Sequence, residues 1–138
     1  MRSSFLQFIK FGIVGITNNI VFFIVYYLVI ASLKNSAIKY DYIIGNLIGF
    51  FISVFWSFLI NNRYVFALVE GEKRSFWKSL LKTYISYGFT GIVLNNVLSY
   101  IGISVLNMSK YIAPLINLFI TVPLNFIINK YWAFKTEK

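Results

Sequence analysis

The segment Phe58-Leu-Ile-Asn-Asn-Arg-Tyr-Val-Phe66 ends an apolar run in two amides, a cation and an aromatic pair. The same ending returns at Phe126-Ile-Ile-Asn-Lys-Tyr-Trp-Ala-Phe134. A shift of 68 residues superimposes the two and carries Phe51, Ile52, Ser53 and Val54 onto Phe119, Ile120, Thr121 and Val122. That shift is about half of the 138-residue chain. Self-similarity on this scale means two copies of one supersecondary unit, and it fixes the architecture before any local reading. The expected organisation is one domain over 1–138, with repeat halves of about 1–67 and 68–138.

Composition says where such a repeat can live. The chain is 59% hydrophobic, 20% aromatic and 12% charged. A soluble domain this small exposes too much surface to hide that much apolar area, and soluble chains carry roughly a quarter charged residues. The expectation is an all-α membrane protein. The net charge of +9 suits anionic headgroups or a phosphate-bearing ligand and does not call for nucleic acid. With no cysteine and no histidine, disulfides are excluded, and so are the commonest metal ligand and the usual general base.

Four apolar spans are expected: Phe5–Ala31, Tyr42–Ile60, Tyr84–Leu106 and Tyr111–Ile128, the last broken by Pro123. A spanning helix needs about 20 apolar residues. The first run is too long for a signal peptide, whose apolar region is about 7–15 residues. In the second, Gly45, Gly49, Ser53 and Ser57 recur every fourth residue and Asn61 continues the stripe. Small-residue stripes let helices approach closely in lipid. Between spans two and three, Phe76, Trp77, Leu80 and Leu81 alternate with lysines, which reads as a basic amphipathic turn at headgroup level.

Four spans put both termini on one side. The N-terminal segment, central loop and tail hold two, five and three cations, and the opposite loops hold Lys34, Lys39 and Lys110. The excess orients the termini and central loop to the cytoplasm. Each half is then a hairpin entering from the same side, so the repeat is parallel, with its axis along the membrane normal. Spans one and three support this more weakly, through Gly15 and Thr17 against Gly88 and Thr90.

The spans contain no carboxylate; Asp41, Glu70, Glu72 and Glu137 lie in loops or at ends. That removes the proton-exchanging group on which small four-span drug exporters depend. It also leaves no acid–base pair for an enzyme. No glycine-rich nucleotide loop is present. The intramembrane chemistry is amide, hydroxyl and cation: Asn18, Asn19, Asn46, Ser53, Asn95, Asn96, Asn117, Thr121 and Asn125, with Lys10, Arg63, Lys82 and Lys130 at the interface. Amides offer donors and acceptors to sugar hydroxyls, and Lys and Arg bind phosphate. Each asparagine has a second reading as an interhelical hydrogen bond. Each cation has one as a side chain snorkelling to headgroups. Tyr64, Phe66, Trp132 and Phe134 are most simply an interfacial aromatic belt. The repeated Asn61 and Asn129 are harder to dismiss, because anchoring does not require an amide.

Phe8-Ile-Lys-Phe-Gly-Ile-Val-Gly15, Asn61-Asn-Arg-Tyr-Val-Phe66, Asn129-Lys-Tyr-Trp-Ala-Phe134, and Pro114-Leu-Ile-Asn117 followed by Pro123-Leu-Asn-Phe126 together resemble the GtrA-like family over nearly the whole chain. The resemblance implies a small four-helix, multi-pass protein of the bacterial plasma membrane. Its role would lie in glycosylation of teichoic acid or other surface polysaccharide. It implies translocation of an undecaprenyl-phosphate-linked monosaccharide to the outer leaflet, beside a membrane glycosyltransferase that makes this lipid. It carries Asn61, Val65 and Phe66 over directly, and Lys82, Lys110, Asn117 and Asn125 by position within the spans. Ala133 stands where Val65 does in the first copy, so the two ends are not equivalent.

The mechanism expected from these residues is a polar groove for the headgroup while the isoprenoid tail stays in lipid. Arg63 and Lys82 would receive the phosphate at the cytoplasmic face, and Lys110 outside. Asn61, Asn117, Asn125 and Asn129 would line the path. A Pro123 kink would let span four rock. Four short helices are few to enclose a groove, which is compatible with a homodimer. No cofactor and no metal is called for. The rival readings are a transporter of another small polar or anionic solute, and a non-catalytic subunit that anchors or stabilises a glycosyltransferase.

Overall fold

The structure is a computed structural model that describes residues 3–109 and 112–137. It divides into two compact units, Met1–Ala67 and Leu68–Lys138. Among the described residues the regular elements are helical, with one isolated antiparallel bridge. Among the described residues, three helices are long and apolar enough to cross a membrane: Ser4–Leu33, Asp41–Val65 and Phe76–Val105. Their large apolar side chains point outward, Phe119 of the remaining helix reaching 82% exposure, which is what lipid as solvent permits and water does not.

The first unit pairs α1 (Ser4–Leu33) with α2 (Asp41–Val65). Ser3 caps α1 by accepting from the Leu6 N–H at 3.3 Å, and Asp41 in the first turn of α2 complements its dipole. The small-residue stripe of α2 faces α1. A Cβ built on Gly45 would stand 2.9 Å from the Tyr26 ring, and one on Gly49 3.0 Å from the Phe22 ring. Trp56 donates to the Thr17 hydroxyl at 3.1 Å, and Gln7 Nε2 donates to the Val65 carbonyl at 3.2 Å. These contacts run in opposite order along the two helices, so the pair is antiparallel.

The second unit pairs α3 (Phe76–Val105) with α4 (Ala113–Ile128). Ser75 caps α3, accepting from the Lys78 N–H at 3.3 Å. The helix therefore begins eight residues before the expected third span. The basic stretch Phe76–Lys82 forms its first turns instead of a separate interfacial turn. Asn107 closes the far end with φ of 58°, a conformation asparagine tolerates better than most residues. Met108 then donates to the Gly102 carbonyl at 2.8 Å. Pro123 lies inside a continuous α4, so the expected break does not occur. With the five-residue turn that follows it, α4 is about 30 Å long at 1.5 Å per residue, the thickness of the hydrocarbon layer. The segment before α3 is clasped to the one that follows α4: Lys73 and Glu137 pair through their backbones, and Arg74 Nη1 donates to the Phe134 carbonyl at 2.9 Å.

Among the described residues four stretches are π-helical: Asn61–Val65, Phe89–Leu94, Ile101–Val105 and Asn129–Ala133. Such turns are rare and usually appear singly. The first and last explain the repeated sequence ending. Asn61 O accepts from Phe66 N, and Asn129 O from Phe134 N, each five residues on and each at 2.8 Å. The wide turn brings the closing phenylalanine inward. Phe66 and Phe134 are 3% and 2% exposed, so both are core residues, which leaves the aromatic-belt reading to the outward Tyr64 and Trp132 alone.

Burial repeats along with sequence. Gly45, Gly49, Ser57, Phe58, Asn61, Val65 and Phe66 are buried, and so are Ala113, Asn117, Asn125, Phe126, Asn129, Ala133 and Phe134, each 68 positions later. On α1 the buried Gln7, Phe11 and Val14 stand 72 positions before the buried Ser79, Thr83 and Ser86 of α3. That register differs by one residue from the Gly15–Gly88 and Thr17–Thr90 pairing expected from sequence. One residue turns a helix by about 100°, so buried faces, not matching glycines, set the alignment.

Candidate functional site

The same positions carry different chemistry in the two units. Where unit 1 places Phe11, Val14, Gly49 and Ser57 in its helix interface, unit 2 places Thr83, Ser86, Asn117 and Asn125. The interface of unit 1 closes by setting rings on glycines. That of unit 2 closes through hydroxyls and amides.

On α3, Ser79, Thr83, Ser86 and Thr90 follow a four-three-four spacing and are each 3% exposed or less. This spacing is that of one helix face. Thr83 and Thr90 return their hydroxyls to the backbone, at Ser79 O (2.8 Å) and Ser86 O (3.0 Å). Ser86 reaches across, donating to Asn125 Oδ1 at 2.8 Å. Asn129 Nδ2 donates to Asn125 Oδ1 at 2.9 Å, to Asn125 O at 2.7 Å and to Ser86 Oγ at 3.3 Å. Its own Oδ1 is buried without a hydrogen-bond partner among the described residues. At the same end, half-buried Lys82 holds its ammonium 5.4 Å above the centre of the Trp132 ring. A second polar cluster lies about 12 Å further along α4: Asn117 Nδ2 donates to Asn95 Oδ1 and Ser99 Oγ, both at 2.9 Å.

Of the residues expected at a site, this brings Lys82, Asn125 and Asn129 together and sets Asn117 apart. The rest lie in unit 1 or outside the description. Asn61 is fully buried and donates to Ser57 Oγ at 3.3 Å. Its Oδ1 likewise lacks a hydrogen-bond partner among the described residues. Val65 and Phe66 are core residues, the Phe66 ring centred 6.2 Å from that of Phe11. Arg63 is exposed, its guanidinium 5.6 Å above the Tyr64 ring. Lys110 lies outside the described residues. The sequence reading missed Gln7, which is 5% exposed in the first turns of α1. It also missed the Ser79–Thr83 half of the hydroxyl face. The four-three-four spacing was the available signal for the latter.

The arrangement offers neutral donors and acceptors in an apolar surround, with one cation at its edge. Among the described residues no group of three or more His, Cys, Asp or Glu is placed to hold a metal ion. An open groove of about 440 Å³ in unit 1, lined by Val25, Leu28, Ile44 and Ile48 among others, is apolar.

Comparison with known families matches residues 10–134 to the transmembrane domain described as GtrA/DPMS. The chain belongs to the GtrA/DPMS transmembrane-domain family. Searches of curated proteins and of solved structures returned no match. Membership makes this a multi-pass membrane protein concerned with lipid-linked sugars and glycosylation, in a family that is generally non-catalytic and works with membrane glycosyltransferases. In this GtrA/DPMS chain the repeated element of the sequence, the asparagine five residues before a phenylalanine, is first of all a helix-ending device. The asparagine side chain is left over for other work.

Proposed function

We propose that the protein moves an undecaprenyl-phosphate-linked monosaccharide from the cytoplasmic to the outer leaflet, for glycosylation of cell-wall teichoic acid or surface polysaccharide. The observation that supports this reading most is the buried Ser86–Asn125–Asn129 cluster with Lys82 at its edge. A sugar phosphate needs hydroxyl partners and one positive charge, and this cluster offers both without a carboxylate to repel phosphate. In our reading the two helix pairs are four spans, with termini and central loop in the cytoplasm.

The lipid tail stays in the bilayer throughout. Lys82 takes the phosphate at the cytoplasmic face. The sugar hydroxyls replace the bonds that Ser86, Asn125 and Asn129 make with one another. Asn117 and Asn95 receive them further along, and Lys110 takes the phosphate at the outer face. Each polar group that leaves a protein partner gains a ligand partner, which keeps the cost of opening low where unpaired groups are expensive. Net movement follows the concentration gradient set by production inside and consumption outside.

The test is reconstitution. Purified protein goes into liposomes with undecaprenyl phosphate linked to glucose, galactose or N-acetylhexosamine, and a membrane-impermeant reagent modifies the exposed sugar. Modification beyond one leaflet's share, lost in Lys82→Met, is the expected result. A plateau at one leaflet with every sugar would overturn the reading and leave a glycosyltransferase-anchoring subunit, to be sought by pull-down.

A further inference from the structure

The Asn129 amide is held in one orientation, and that orientation leaves an acceptor over. Its Nδ2 faces three oxygens: Asn125 O at 2.7 Å, Asn125 Oδ1 at 2.9 Å and Ser86 Oγ at 3.3 Å. Turning the amide over would set its oxygen against two carbonyl oxygens, which only accept. The nitrogen therefore belongs on that side. Asn129 Oδ1, on the other limb of the amide, is buried without a hydrogen-bond partner among the described residues, on a side chain that is 0% exposed. Native proteins rarely leave such an acceptor bare. Asn61, its counterpart in unit 1, is not fixed in this way. Its side chain bonds Ser57 Oγ, and a hydroxyl serves an amide in either orientation.

Asn125 carries the complement. Its Oδ1 accepts from Ser86 and from Asn129, while its Nδ2 finds no acceptor among the described residues. The two side chains meet through a bond of 2.9 Å. An amide is about 2.3 Å from oxygen to nitrogen, so the bare oxygen and the unused N–H group lie within about 7.5 Å of each other. An acceptor and a donor at that span match one sugar hydroxyl or two neighbouring ones, since a hydroxyl both gives and takes a hydrogen bond. A carboxylate has no proton to give the Asn129 oxygen, and an ammonium has no lone pair for the Asn125 N–H. The place suits a neutral, hydroxyl-bearing part of a sugar.

We propose that Asn129 Oδ1 determines sugar specificity: it takes the proton of one hydroxyl of a neutral sugar, and Asn125 Nδ2 donates to that hydroxyl or its neighbour. This rests on the lipid translocation proposed above, and the test separates the two. Short-chain polyprenyl phosphates linked to glucose, galactose or N-acetylhexosamine are radiolabelled and added outside proteoliposomes. Uptake is then read without chemistry at any hydroxyl. Each sugar that enters is offered again in its singly deoxygenated forms. Loss of one particular hydroxyl should slow wild-type uptake at least about tenfold, because a site built to bond a hydroxyl rejects the analogue that lacks it. In Asn129→Leu the ratio between the parent sugar and that analogue should shrink to about one. A packing role would slow every sugar alike and leave the ratio as it is in wild type, which would overturn the proposal. So would equal wild-type uptake of a parent sugar and all its deoxygenated forms, a result that needs no variant and leaves translocation standing. No uptake of any sugar would overturn translocation itself, and this specificity with it.

Discussion

Ser86 donates its hydroxyl to Asn125 Oδ1 at 2.8 Å, across the pair of helices that make up unit 2. The same oxygen also accepts from Asn129 Nδ2 at 2.9 Å, so one acceptor organises two donors. Asn125→Leu removes that acceptor at nearly constant volume. Intramembrane hydrogen bonds contribute only ~0.6 kcal/mol each, so melting in detergent should fall by no more than ~1–2 kcal/mol. Lipid-linked sugar movement in liposomes should fall at least tenfold, that is by ~1.4 kcal/mol or more in the barrier. Wild-type movement in this variant would assign the cluster to packing.

Lys82 has two duties that a pair of variants separates. Lys82→Arg keeps the charge and the contact with the Trp132 ring, an interaction arginine also makes. It should retain movement of the lipid. Lys82→Met keeps only the apolar stem and should lose movement while staying in the membrane at normal levels. Immunoblotting of membranes beside the liposome assay reads both.

Gly49 and Gly12 make a contrasting pair in unit 1. A Cβ on Gly49 would stand 3.0 Å from the Phe22 ring and 3.3 Å from the Phe22 carbonyl oxygen, while one on Gly12 meets nothing within 4 Å. Gly49→Val should therefore force α1 and α2 apart and cost ~1–3 kcal/mol. Gly12→Ala should be neutral or stabilise by up to ~1 kcal/mol through helix propensity. Melting curves in one detergent compare them directly.

Arg74 ties the segment before α3 to the last residues described, by its bond to the Phe134 carbonyl and its stacking 5.1 Å from that ring. Arg74→Lys cannot reproduce a planar fork and should lose at least ~1 kcal/mol. Limited proteolysis should then cut behind Phe134 faster than in wild type. Unchanged cleavage would mean that the Lys73–Glu137 backbone pairing holds the clasp alone.

What the sequence disclosed and withheld follows from what each signal depends on. The apolar runs and the Gly45–Gly49–Ser53–Ser57 stripe are periodic, and periodicity survives without neighbours; the helices and the face that α2 turns to α1 were therefore legible. The Asn61 and Asn129 endings were visible as a repeat. Their backbone purpose was not, since a five-residue hydrogen bond leaves no mark in composition. Phe66 and Phe134 read as interfacial because aromatic residues after a span usually are; only the widened turn sends them inward. Gln7 was hidden by its surroundings, one amide in an apolar stretch. The partnership of Ser86 with Asn125 depends on the mutual register of α3 and α4. That register is set by packing over the whole interface and not by either segment.

The difference between the two interfaces has a kinetic meaning. Rings seated on glycines, as at Gly45 and Gly49, give a close contact that is either made or lost. Hydroxyls and amides on facing helices can change partners one at a time, and any incoming hydroxyl of similar size will serve. A helix pair of the first sort behaves as a fixed post. One of the second sort, in the function proposed above, would open in small steps, like a zip whose teeth re-engage with the sugar passing between them.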